Sequence, residues 1–143
     1  MTGQVSLPHD DEDLATWQRV LATPELIAKA MLAEESSGGA GHVAAVAKLR
    51  TFWPANEVAV ALTLVEARRR AKGKFPGVEH LVCDRQAVEQ ASSSNVAAWK
   101  AERFAHENAA HGGTVHDLCC GMGGDAMALA ATCMQNAVSS PAI

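Results

Sequence analysis

One stretch of this chain puts reactive and turn-forming residues at a spacing that lets them act together: Val115-His116-Asp117-Leu118-Cys119-Cys120-Gly121-Met122-Gly123-Gly124-Asp125-Ala126. The carboxylate of Asp117 closes a β-favouring run in which Thr114, Val115 and Leu118 predict a short buried strand. Gly121, Gly123 and Gly124 remove side chains where the backbone must turn sharply and something must approach it closely. Ala126, Met127, Leu129, Ala130 and Met134 then predict a helix of high intrinsic propensity. A strand, a glycine turn and a helix N-terminus together form a cradle for a nucleotide-type cofactor. The first helical turn supplies free N–H groups and the positive end of the dipole. Asp125 stands where a carboxylate suits that dipole. The order Asp-x-x-x-Gly-x-Gly-Gly is not the Gly-x-Gly-x-x-Gly of dinucleotide folds.

Three other groups bear on chemistry. Arg68, Arg69, Arg70, Lys72 and Lys74 form a basic cluster where a long helix is expected to end. Cations in a last helical turn are stabilising by themselves. In a chain of formal charge −4 they are also a local concentration, and contact with the phosphates of RNA or another anionic partner is the functional expectation. His106, His111 and His116 recur every five residues ahead of Cys119 and Cys120. That spacing aligns no helix face and crosses Gly112-Gly113, so no metal site is expected. Cys83, Cys119, Cys120 and Cys133 contain no Cys-x-x-Cys pair and read as reduced thiols of a cytoplasmic protein. No Gly-x-Ser-x-Gly elbow suggests hydrolase chemistry.

The elements that must position these groups are mostly helical. The chain has 143 residues, 48% hydrophobic and 20% charged, as suits one folded domain or slightly more. It has no tyrosine, no apolar run near the roughly 20 residues of a membrane span, and no secretory leader at its start. Asp10-Asp11-Glu12-Asp13 favours a helix start, followed by Leu14, Trp17, Val20 and Leu21 at helical spacing. Thr23-Pro24-Glu25 begins a second helix, with Thr23 as cap and Leu26, Ile27, Ala30, Met31 and Leu32 on its buried face. Ser36 to Gly41 is a loop by composition. Helices are expected over 42–50 and 55–72, the latter burying Val58, Ala61, Leu62 and Val65. After Gly73–Gly77, Leu81-Val82-Cys83 predicts a short strand, and Asp84 caps a helix through Ala87, Val88 and Ala91. Asn95 caps a helix over 96–108, with Val96, Trp99, Ala101, Phe104 and Ala105 as core candidates. Gln135 to Pro141 is polar and non-periodic, and reads as a tail.

The stretch from 115 to 130 resembles motif I of the class I S-adenosylmethionine-dependent methyltransferases, in which the strand ends in an acid before a glycine turn. Cys119 stands where the commonest form has its first glycine. Upstream, Leu49-Arg50, Arg68-Arg69-Arg70-Ala71, Lys74-Phe75, Val88-Glu89-Gln90-Ala91-Ser92 and Val96-Ala97-x-x-Lys100-Ala101-Glu102-Arg103-Phe104-Ala105 follow in order. This series resembles the front half of bacterial methyltransferases with a THUMP-like domain. Those in turn resemble the trimethylguanosine synthase branch, whose motif I also carries Cys-Gly-x-Gly-Gly.

The resemblance implies a helical N-terminal domain over 1–110. Residues 111–143 would then be the first βα unit of a Rossmann-like sheet. It implies S-adenosylmethionine held by Asp117, Cys119, Gly121, Gly123, Gly124 and Asp125, with Ser92 and Ser93 lining the pocket from the helical side and RNA as methyl acceptor. Glu89 and Gln90 read equally well as surface residues. The family's later Asn/Asp-Pro-Pro motif has no counterpart, since no Pro-Pro pair occurs. No catalytic residue is therefore assigned. A Rossmann-like sheet also needs further strand–helix units on both sides, so a truncated or split product is expected. The remainder of the catalytic domain would then be a partner. The alternative expectation is a non-catalytic helical module that holds an anionic partner through Arg68–Lys74.

Overall fold

The computed structural model describes residues 11–35, 40–109, 114–118 and 120–139. Among them are α1 (Asp11–Leu21), α2 (Pro24–Glu35), α3 (Ala40–Leu49), α4 (Ala55–Ala71), α5 (Arg85–Gln90), α6 (Ser94–Ala109) and α7 (Gly124–Ser139), with a 3₁₀ turn at Val78–His80. The mostly helical architecture agrees with the sequence reading.

Helix starts follow local chemistry. Pro24 occupies the first position of α2, where its missing N–H costs nothing. Thr23 serves α2 with its carbonyl, which accepts from Leu26 and Ile27, while its hydroxyl turns back to Arg19 O at 2.8 Å. The expected side-chain cap is thus replaced by a backbone one. Asp84 caps α5 as expected, its Oδ1 accepting from Ala87 N at 2.7 Å. α6 begins at Ser94, ahead of Asn95, with Ser93 O accepting from Ala97 N.

Two cores hold the helices. The first joins Trp17 and Val20 of α1, Leu26, Ala30 and Ala33 of α2, Leu49, and Val58, Ala61 and Leu64 of α4. The second gathers Ala67 and Ala71 at the end of α4 with Phe75, Val78, Cys83 and Val88, and Met122 packs against it. Several expected core residues lie outside both: Met31, Leu32, Val96, Trp99 and Phe104 are exposed. The faces that go inward instead carry Ala30 and Ala33 in α2, and Ala97 and Ala101 in α6. Small residues let helix axes approach closely, and the α6–α7 pair makes the most extensive helix contact.

No β-strand occurs among the described residues. Leu81–Cys83 and Thr114–Asp117 belong to no ladder, in contrast to the strands that their residue types predict. The motif segment is not buried either: Val115 is half-buried and Leu118 is 91% exposed. A strand is defined by its partner's N–H and C=O groups, and no described segment supplies them. α7 also continues through Gln135 to Ser139, which had read as a non-periodic tail. No helix among the described residues is long and apolar enough to cross a membrane.

Candidate functional site

The glycine turn forms as a tight reversal between the 114–118 segment and α7. Gly123 N donates to Cys120 O at 2.7 Å, and Gly123 O accepts from Met127 N at 2.8 Å as α7 begins. Gly121 and Gly123 have φ of 52° and 84°, in the left-handed region that side chains other than glycine rarely enter. A β-carbon built on either would meet none of the described residues within 4 Å, so among these both glycines border open space. Gly124 is different. It is buried, and a β-carbon there would lie 2.9 Å from Phe75 Cε1 and 3.8 Å from Ser92 O. The three glycines therefore divide the work: two turn the chain beside an open face, and one lets α7 close on the helical region.

Met122, between the two left-handed glycines, anchors the turn by packing against the second core. Across from it, Lys100 of α6 donates to Ser92 Oγ at 2.9 Å and to Asp125 Oδ2 at 2.7 Å. The other carboxylate oxygen, Asp125 Oδ1, is buried and has no hydrogen-bond partner among the described residues. Beside this bridge lies a cleft of about 720 Å³ lined by Lys100, Phe104, Glu107, Thr114, Val115, His116, Asp117, Leu118, Asp125 and Leu129.

Asp117, Asp125, Gly121, Gly123 and Gly124 are thus brought to one turn and its adjoining cleft. Ser92 joins them through Lys100. Ser93 instead serves the start of α6 with its carbonyl, and Cys119 lies outside the described residues. Glu89 is exposed and paired with Arg85 at 2.7 Å, and Gln90 is exposed.

The five cations of the basic cluster have different surroundings. Lys74 Nζ donates to the carbonyls of Val88, Glu89 and Ala91 at 2.7, 3.4 and 3.3 Å, closing the C-terminus of α5. Arg68 Nε donates to Leu81 O at 2.9 Å, and burial lowers its pKa from the ordinary arginine value. Arg70 pairs with Glu66 at 2.8 Å. Arg69 and Lys72 are exposed and, among the described residues, make no ion pair. With Arg68 they line a groove of about 470 Å³ that also holds Glu34, Glu35 and Glu79, so its cations face an equal number of carboxylates. Among the described residues no three histidine, cysteine or acidic side chains are grouped as a metal site would require. His111 lies outside the described residues.

Sequence reasoning did not single out Lys100, Phe75 or Met122 as parts of this site. Lys100 and Asp125 are 25 residues apart on different helices, and no local spacing announces such a pair. Met122 carried a weak signal: an apolar residue inside a glycine turn is a candidate anchor for it. No protein-family model matches this chain, and no curated protein or solved structure matches it significantly.

Proposed function

We propose that this chain binds S-adenosylmethionine at the glycine turn and forms the cofactor-binding start of a class I methyltransferase whose acceptor is RNA. The observation that carries this reading is the pair of left-handed glycines, Gly121 and Gly123, bordering open space immediately before the N-terminus of a 16-residue helix. The residues fit the group in charge as well. Asp117 and Asp125 line one cleft, and Asp125 Oδ1 is a buried acceptor without a donor.

Bound there, the cofactor would supply a sulfonium methyl group to an incoming nucleophile. The chain's part is to bind and orient. The turn's backbone would pass against the cofactor, the first N–H groups of α7 would meet its electronegative groups, and Asp117 would accept from its amino-acid end directly or through water. Thr114–Asp117, which joins no ladder, is where the further strands of a Rossmann-like sheet would add. The remainder of such a sheet is the proposed partner, and positioning the acceptor would fall to it. Cys83, Cys120 and Cys133 are free thiols, in keeping with a cytoplasmic setting.

Isothermal calorimetry with S-adenosylmethionine and S-adenosylhomocysteine tests the reading. Binding by the unmutated chain, weakened at least tenfold (about 1.4 kcal/mol) by Gly121→Leu and by Asp117→Ala in folded protein, is the expected result. No binding by the unmutated chain removes the cofactor claim. The second reading, a helical module holding RNA without a cofactor, draws on the exposure of Arg69 and Lys72. Salt-dependent RNA binding with no cofactor heat would favour it.

A further inference from the structure

We infer that Lys100 is a positioning residue for the glycine turn, holding Asp125, and with it the first turn of α7, against α6 and Ser92. The inference deepens the cofactor reading and rests on it for its functional consequence. Three observations meet at this side chain. Its ammonium bridges Ser92 Oγ at 2.9 Å, just before α6, and Asp125 Oδ2 at 2.7 Å, just after Gly124. No other cation pairs with Asp125 among the described residues. The carboxylate's second oxygen is buried and unsatisfied, so the charge on Lys100 is what makes a half-buried carboxylate tolerable at this place.

The turn also meets the helical region through apolar contacts: Met122 against the second core, and Gly124 beside Phe75. Apolar packing sets how closely α7 approaches. It resists rotation of the helix about its axis less sharply than a directional contact does, because dispersion contacts are not directional. A charge-assisted hydrogen bond at 2.7 Å is directional and fixes that rotation. The rotation decides where the N–H groups after Gly123 point, and Lys100, Asp117 and Asp125 line the same cleft.

The test uses the full chain with Lys100→Met and Lys100→Arg, after circular dichroism has shown both to be folded. Two quantities are read: amide hydrogen exchange over 121–127 without ligand, and affinity for S-adenosylhomocysteine. Lys100→Met is expected to speed exchange in that segment and to weaken affinity, each about tenfold, allowing for the partial exposure of the pair. Exchange in α1 and α2, which belong to the first core, should stay unchanged. Lys100→Arg, which keeps the charge and several donors, is expected to restore both quantities to within about threefold. Unchanged exchange and affinity in Lys100→Met would overturn the positioning role and leave the cofactor reading standing. Failure of Lys100→Arg to restore either quantity would overturn it too, showing that the side chain's packing mattered and its charge did not. If the unmutated chain binds no S-adenosylhomocysteine, the cofactor reading falls, and exchange over 121–127 alone decides whether Lys100 positions the turn.

Discussion

Gly124 and Phe75 touch across the junction of α7 with the helical region: a β-carbon on Gly124 would sit 2.9 Å from Phe75 Cε1 and 3.3 Å from Cζ. The Phe75 ring is buried in the second core, so it cannot swing into solvent to make room. Gly124 has an ordinary backbone conformation, and at a free helix start alanine there would stabilise by up to about 1 kcal/mol. The contact reverses the sign. Gly124→Ala is expected to destabilise by about 1–3 kcal/mol in urea unfolding. Phe75→Leu, added to it, should recover part of the loss. A neutral or stabilising Gly124→Ala would show that α7 does not close on Phe75.

Lys74→Met is expected to lower stability by about 1–2 kcal/mol, because it removes the charged donor from three carbonyls at the end of α5. Any RNA affinity of the chain should keep its salt dependence in this variant. Lys72→Gln should do the opposite, leaving unfolding unchanged and reducing the salt slope of RNA binding by about one. Equal effects on RNA binding from both substitutions would return Lys74 to the anion-binding patch.

Asp84→Ala removes the cap of a six-residue helix and opens a buried polar position. A loss of about 1 kcal/mol or more is expected in urea unfolding. Asp84→Asn, which keeps an acceptor, should lose less. An Asp84→Ala protein as stable as the original would mean that α5 is held by Val88 and Lys74 alone.

Burial pushes the Cys83 thiol above its ordinary pKa, with the nearby Arg68 guanidinium opposing the shift. The folded state therefore favours the protonated thiol. The stability this contributes is complete below the unfolded pKa of about 8.5 and is lost as pH rises through the folded value. Alkylation by iodoacetamide at mildly alkaline pH should label Cys120 and Cys133, which are exposed, well before Cys83. Labelling of Cys83 at the rate of the other two, followed by peptide mass spectrometry, would contradict its burial.

Much of the fold was legible because helix punctuation is local. Pro24 and Asp84 mark starts through their own φ preference or hydrogen bond, and both act where they were read. The buried faces were harder. In α6 the large residues Trp99 and Phe104 looked like core, yet Ala97 and Ala101 are the ones buried. A helix rich in alanine offers more than one apolar stripe, and which stripe goes inward depends on how closely its neighbour can approach. Strand expectations failed for a related reason: Val115 and Leu118 carry the propensity, but a strand exists only in company with another. At the site, the turn was readable from glycine spacing. The roles of Lys74 and Lys100 were not, because each is defined by carbonyls or carboxylates on a different element.

Met122 connects these levels. Its partly buried side chain packs against the core that holds Phe75, Val78, Cys83 and Val88, while its neighbours Gly121 and Gly123 border open space among the described residues. The stability of the turn is therefore linked to that of the second core, and local opening of one weakens the other. A ligand held at the glycines would consequently slow the breathing of residues at the end of α4 that it never touches. Any substitution that loosens that core would appear in a binding experiment as lost affinity, with every contacting residue intact.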